Sequence, residues 1–205
     1  MKPRAKKCDI CKRSIENRRN SLQVVCSMAC ALEWNKRKEV KKQREQTKKE
    51  KEDIRKHSEW INVLQKHINE LVRLIDKGQN CISSDTPWVD RMMDAGHYYP
   101  RTKKHLPIRF HLMNIWAQGK HDNRFMEGNR QGMREGFIRN FGSFIANEIE
   151  DLPKQYPSCK WSINELRSAY KTCLALKKKA RKLPVLDPIA RLQIRQMYNK
   201  EIGLY

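Results

Sequence analysis

The sequence predicts a mostly helical α+β protein: a small N-terminal cysteine module, a long basic helix, a strand–strand–helix unit and C-terminal helices. Three observations carry this reading. Residues 8–30, "CDICKRSIENRRNSLQVVCSMAC", space four cysteines as C-x2-C-x14-C-x3-C. Residues 31–77 run without glycine or proline and are dense in strong helix formers. Residues 79–118 hold Pro87, Pro100 and Pro107 between short mixed runs, the pattern of a small irregular hairpin. The expected segments are 1–35 (cysteine module), 36–78 (long helix), 79–155 (strand–strand–helix unit) and 156–205 (C-terminal helices).

The N-terminal block comes first. Cys8, Cys11, Cys26 and Cys30 form two pairs, each able to aim two thiolates at one tetrahedral Zn2+ from a tight turn, which is the spacing of structural zinc modules. A reduced cysteine-rich turn is the alternative. Arg4, Lys6, Lys7, Lys12, Arg13, Arg18 and Arg19 make the block basic. Seven cysteines, an odd number, argue against a disulfide framework.

The helix changes character along its length. Up to Ser58 it has almost no apolar face after Trp34, and opposite charges such as Glu45 with Lys49 and Glu52 with Lys56 favour a solvated helix. From Trp60 onward, Trp60, Leu64, Ile68, Leu71 and Ile75 recur at helical spacing, so this part packs on something. Gly78 supplies the stop.

The hairpin is expected to pair a strand near 91–99 with one near 108–116 across the basic loop "PRTKKHLP". His97 on the first strand is either a proton-transfer group facing a basic surface or a histidine packed in an ordinary hairpin. A helical region follows, broken near Gly128 and Gly142 and ended by Pro153. In "CKWSINELRSAY", Ser162 and Glu165 have capping-box spacing and Trp161 with Leu166 that of a hydrophobic staple. Ile163, Leu166, Tyr170 and Leu174 form the expected apolar stripe. A last helix starts at Pro188 behind Asp187.

Composition bounds the function. The formal net charge is +21 and the sequence pI about 9.9, a balance that calls for polyanionic company, nucleic acid first and an acidic membrane surface second. No apolar run approaches the roughly 20 residues that span a bilayer, and the N-terminus lacks the apolar core of a signal peptide. A cytoplasmic protein is expected, nucleoid-associated when bound to DNA. There is no P-loop, dinucleotide fingerprint or serine-nucleophile elbow.

A strand with His97, a basic loop, a second strand ending at Asn114 and a helix near Asn123 follow the order of the strand–strand–helix finger of HNH nucleases. The pieces "MDAGHYYPRT", "IRFHLMNI", "EGN", "ANEIED" and "CKWSINEL", after "CDIC…CSMAC" and a long basic helix, resemble the NinG (Rap) recombination protein family of lambdoid phages from about residue 8 to 180. The resemblance implies a metal-dependent HNH-type endonuclease acting on branched DNA such as Holliday junctions and D-loops. It makes His97 the general base, Asn114 the residue that orients the active-site loop, and Asn123 a ligand of Mg2+ or Mn2+. Asp94 matches the motif as a second ligand or as a residue fixing the hairpin. Arg101, Lys103, Lys104, Arg109 and Arg124 would hold phosphates.

The sequence departs from the family in the finger. The resemblance leads one to expect two further zinc cysteine pairs there, but these positions read "CISS" and "GKHD", leaving Cys81 with Ser84, Gly119 and Asp122. Cys81, His121 and Asp122 could form a substitute site; otherwise packing by Trp88, Trp116, Phe110 and Phe125 must hold the finger. Phe125 and Met126 stand where the family shows histidine and lysine. The rival class is therefore a structure-selective DNA binder with a decayed finger that anneals DNA or recruits host recombination proteins. A third is an RNA-binding zinc protein whose Tyr98, Tyr99 and Trp116 stack bases. The stretch from Trp60 to Ile75 could provide the seam of a homodimer.

Overall fold

A computed structural model describes residues 6–15 and 20–205; Arg4, Arg18 and Arg19 lie outside the described residues. The chain forms two compact units, 1–55 and 56–205.

In the first unit a tight turn brings Lys7 opposite Ser14, closed by Cys8 N–H donating to Arg13 O and Lys12 N–H to Cys8 O. Helix α1 (Met28–Asp53) starts where the Ser27 hydroxyl accepts the Cys30 N–H. None of its residues is buried. Propensity and exposed i,i+4 pairs, Glu33–Arg37 (2.7 Å), Lys41–Glu45 and Lys48–Glu52 (4.0 Å each), support it. Glu45 and Glu52 thus meet lysines four residues earlier.

The helix expected to run unbroken from 36 to 78 is two helices. α1 stops at Asp53, and α2 (His57–Ile75) begins anew with the Glu59 carboxylate accepting the Lys56 N–H at 2.7 Å. The amphipathic stripe of α2 is as expected: Trp60, Leu64, Ile68, Leu71 and Ile75 are all buried. They pack on α5 (Ile163–Ala180) of the same chain, which removes the reason to look for a dimer seam there. On α5 the buried stripe is Leu166, Ala169, Cys173, Leu176 and Ala180; Ile163 is exposed, so the stripe runs one position off the expected one. Lys177 lies in it, its ammonium meeting the Glu70 carboxylate and, at 2.8 Å, His67 Nδ1.

Strand β1 (Met93–His97) pairs antiparallel with β2 (Ile115–Gly119), His97 opposite Ile115 and Asp94 opposite Gln118. The second strand lies later than the expected 108–116. Residues 106–108 and 112–114 form single 3-10 turns instead, and Asn114 precedes the strand rather than ending it. Side chains alternate across a strand, and both faces of this hairpin are covered. Ile115 joins the core of α2 and α5. Trp116 joins a second core with Phe137 and Ile149 of α4 (Arg130–Gln155). Two glycines let α4 approach closely: a Cβ on Gly136 would sit 1.7 Å from Ile82 O, and one on Gly132 2.6 Å from Ser83 O. Gly142, at φ 85°, kinks α4 where a break was expected, while the helix passes Pro153 and ends at Gln155. The short α3 (Lys120–Phe125) links β2 to α4 through the left-handed residues Glu127, Gly128 and Asn129.

Helix α6 (Pro188–Ile202) is capped by Asp187 as its sequence indicates. It inserts two arginines into the centre of the unit. The buried Asp76 carboxylate accepts from Arg191 (3.0 Å), Arg195 (2.6 Å) and the Ala117 N–H (2.8 Å). Arg195 also donates to the carbonyls of Leu112 and Ile115 and lies over the Trp116 ring, 3.6 Å from its centroid. Burial by itself would raise the Asp76 pKa, but the Arg195 and Arg191 guanidiniums hold it below the usual carboxylate range.

This packing makes two predictions. Asp76→Asn leaves two buried guanidiniums without their counter-charge and should cost about 3–5 kcal/mol in urea unfolding; a loss under 1 kcal/mol would mean the cluster is not a keystone. The second concerns acid. Burial, reinforced by Arg101 and Arg109, lowers the His97 pKa to about 3; burial and Arg195 lower that of His111 to about 4. The unfolded chain protonates both near 6.5 while the folded chain keeps them neutral, so their contribution is complete above pH 6.5 and lost as pH falls. At pH 5 the loss is about 2 kcal/mol per histidine. His67 and His105 act in the same direction. Urea midpoints at pH 7.5 and 5.0 should show this loss, smaller by about 2 kcal/mol in His111→Gln; an equal loss in both proteins would remove His111 from the account.

Candidate functional site

His97 closes β1 at the start of the basic loop. Its Nε2 lies 3.2 Å from Arg109 O and 3.3 Å from the Gln65 amide nitrogen. Gln65 reaches the site from α2, where it accepts from Arg109 Nε at 2.9 Å and donates to Asn69 at 2.8 Å. Sequence reasoning missed Gln65. The signal was a polar residue set inside the apolar stripe, between Leu64 and Ile68.

Asn114 is fully buried and ties both ends of the loop. Its Oδ1 accepts the Tyr99 N–H at 2.8 Å, and its Nδ2 donates to Tyr99 O and Ile108 O, both at 3.2 Å. Its own carbonyl accepts the Tyr98 N–H. Every polar group of the amide therefore holds backbone, and the loop between carries Arg101, Lys103 and Lys104 exposed at its tip. Tyr98, Tyr99 and Trp116, considered as base-stacking residues, are 3%, 9% and 0% exposed and belong to the core.

Asp94 and Asn123 come together: Asn123 Nδ2 is 3.3 Å from Asp94 Oδ2, which also accepts from Arg124 Nε at 2.8 Å. One carboxylate and one amide oxygen are hard donors that suit Mg2+ or Mn2+, ions that keep several waters and take phosphate oxygens. The Arg124 guanidinium competes for the same carboxylate. Three residues apart on a strand, Asp94 and His97 leave opposite faces of it, Asp94 toward α3 and His97 toward α2. The histidine and the oxygen pair therefore make separate sets of contacts instead of one direct cluster.

The altered cysteine positions do converge, around hydrogen bonds. Cys81 Sγ accepts the Gly119 N–H at 3.1 Å and lies 3.7 Å from Asp122 Oδ2, which takes the Ser83 hydroxyl at 2.6 Å. Gln118 donates to Ser83 Oγ (2.9 Å) and Gly128 O (2.6 Å). The substitute metal site of Cys81, His121 and Asp122 is not assembled: His121 Nδ1 is 3.4 Å from Asp122 Oδ1 and Cys81 Sγ 3.7 Å from Asp122 Oδ2, but the three donors do not gather at one point. The four N-terminal cysteines are the one group of three or more His, Cys, Asp or Glu that could hold a metal ion among the described residues. Phe125, expected to pack the finger, is 78% exposed, while Trp116 and Phe110 are fully buried.

The N-terminal cysteines form the clearest metal centre. The turn at Cys8–Cys11 and the start of α1 at Cys26–Cys30 bring their four sulfurs within 4.8 Å of one another. Cys11–Cys26 and Cys26–Cys30 are 3.4 and 3.7 Å apart, close to the roughly 3.8 Å edge of a tetrahedron with Zn–S bonds of about 2.3 Å. Backbone N–H groups of Cys11, Ile10 and Cys26 aimed at its sulfur lower the Cys8 pKa to about 6, whereas the neighbouring sulfurs of Cys11, Cys30 and Cys8 raise that of Cys26 to about 12. The donor set fits zinc. Purified protein should carry about one Zn2+ per chain by elemental analysis, and Cys11→Ser should reduce that content at least tenfold; wild-type protein without zinc would overturn the assignment.

No curated protein matches the chain, and no solved structure matches it. The model of one family does, described as "Bacteriophage Lambda NinG protein", over residues 1–183. That match runs from the cysteine centre through the hairpin and α5 and stops before α6. The chain therefore belongs to the NinG family of bacteriophage recombination proteins.

Proposed function

We propose that this protein is a divalent-metal-dependent endonuclease of the HNH type that cuts branched DNA during phage recombination. The observation that supports it best is the setting of His97: a neutral histidine at the base of an exposed cationic loop whose two ends are tied by one buried asparagine. In the tautomer that donates Nε2–H to the Arg109 carbonyl, Nδ1 keeps its lone pair to accept a proton from water. Burial, and after it the charges of Arg101 and Arg109, hold that basicity down in the free protein. A phosphodiester bound between them would neutralise these charges and raise it. Arg101, Lys103 and Lys104 hold phosphate, Asn114 keeps the loop in place, and Asp94 with Asn123 holds the cation once Arg124 moves from the carboxylate to DNA. The metal, when bound, offsets charge on the scissile phosphate.

Two observations favour a second reading, a structure-selective DNA binder without cleavage: the Arg124 guanidinium already occupies Asp94 at 2.8 Å, and His97 faces the other side of the strand.

A labelled four-way junction and a matched linear duplex, incubated with the protein in Mg2+ or Mn2+, decide between them. Metal-dependent cutting of the junction is expected, reduced at least about a hundredfold in His97→Ala and strongly in Asn123→Ala. Cutting that survives His97→Ala would remove His97 as base; tight binding without cutting by any form would establish the second reading. Replacing Arg101, Lys103 and Lys104 together by Ala should flatten the log–log salt dependence of duplex binding, by about 0.9 for each phosphate that the loop no longer neutralises.

A further inference from the structure

Helix α1 has 26 residues, none of them buried, and its charges are sorted by face. At 3.6 residues per turn, Arg37, Lys41, Arg44, Lys48 and Lys51, spaced 4-3-4-3, fall in one stripe. All five are exposed. The opposite side of the helix carries Glu39, Gln43, Gln46, Glu50 and Asp53. Near the start of the stripe, Lys36, Arg37, Lys41 and Arg44 rim a shallow groove around Val40, whose lining also includes Glu33.

Helix stability does not account for this stripe. Like charges three or four residues apart repel one another and weaken a helix, and the stripe sets four such pairs in succession. Arg44 and Lys51 have no acidic residue three or four positions away on either side. Arg37, Lys41 and Lys48 do have partners, in Glu33, Glu45 and Glu52, but their side chains are 63%, 78% and 70% exposed. Pairs so open to solvent hold weakly, and each of these cations remains available to a stronger anion.

We propose that the stripe on α1 is a second DNA-contacting surface, built on the first unit, that lies along the phosphate backbone of duplex DNA. From Arg37 to Lys51 it is about 21 Å long, at 1.5 Å per residue. A duplex carries one charge per about 1.7 Å of its axis, so phosphates outnumber the cations along that length. A membrane surface would call for an apolar helix face, and a single strand for aromatic residues on which bases stack. The stripe holds neither. Phosphate contacts carry no sequence information, so this surface supplies affinity and register on a duplex arm and leaves the choice of target to the second unit. The inference rests on DNA as the ligand in the reading above, and not on cleavage.

The test is binding of a labelled linear duplex to the full chain, followed by fluorescence anisotropy over a range of salt with no Mg2+ or Mn2+ added. Replacing Arg37, Lys41, Arg44, Lys48 and Lys51 together by Gln should weaken binding at least about tenfold and flatten the log–log salt slope by about 0.9 for each phosphate released. A second variant keeps the net charge and moves two cations to the opposite side of α1: Gln43→Arg with Arg44→Gln, and Glu50→Lys with Lys51→Glu. It should flatten the slope by about 1.8. The first variant should be no less helical by circular dichroism, since repulsions are removed; if it loses helix, the second variant decides. An unchanged slope in both variants overturns the proposal and leaves α1 a spacer. A loss in the first alone also overturns it, because binding then follows net charge and not the stripe. Poly-L-glutamate that binds the wild type as tightly as the duplex does, and loses that affinity in the second variant, would replace DNA by an acidic protein segment as the occupant. Junction cutting by the wild type, measured separately with metal, decides the nuclease reading whichever way the stripe is decided.

Discussion

The second unit is organised around a carboxylate that has no access to water. Asp76 follows α2 directly, and its two oxygens draw in Arg191 and Arg195 from α6 and the Ala117 N–H from β2. A buried charge of this kind is costly without partners and tolerable only when every lone pair is used. Satisfying it brings the end of α2, the second strand and the last helix to one point. Arg195 extends the effect, because its guanidinium also takes the carbonyls of Leu112 and Ile115 that flank Asn114. The residue that ties the cationic loop is thus held on both sides by a helix far later in the chain. That helix begins at Pro188, beyond the last residue matched to the family. Part of what positions the loop therefore lies beyond the residues matched to the family.

A hairpin of two five-residue strands is too small to be stable alone. Here it gains stability by being covered on both faces, Ile115 in the core of α2 and α5, Trp116 in the core of α4. The same sandwich separates the candidate chemistry. His97 shares its face with Gln65 and Arg109, and Asp94 shares the other with Asn123 and Arg124. In the nuclease proposed above, the two sets would have to meet one phosphate at the strand's end, where the cationic loop begins.

The protein staples its two small folded regions by different chemistry. In the cysteine unit a short turn and a helix start have little apolar surface to bury, and four cysteines gathered where they could hold one metal ion would supply the cohesion. Beside the hairpin, the serine, glycine and aspartate at 84, 119 and 122 cannot do this. Ser83, Asp122 and Gln118 form a hydrogen-bonded hub instead, with Cys81 accepting a backbone N–H at its edge. Such a hub works because it is buried next to α4, whose Gly132 and Gly136 bring the helix backbone against residues 82–83.

Much of this was legible in the chain itself. The cysteine spacing, the stripe from Trp60 to Ile75, the caps at Ser162 and Asp187 and the breaks at Gly128 and Gly142 are local signals, since each depends on residues within a few positions of one another. The sequence by itself therefore determined the class of the fold, the four cysteines that gather into one cluster and the family. The tertiary structure alone decided where the second strand begins, that the helix divides near residue 55, which face of α5 is buried, and that Gln65, Asp76, Arg195 and Asn199 converge on the hairpin. These outcomes depend on partners far apart in the chain, as Gln65 is from Arg109 and Asp76 from Arg195. A buried polar residue looks like any other in sequence until the partner that satisfies it is brought alongside.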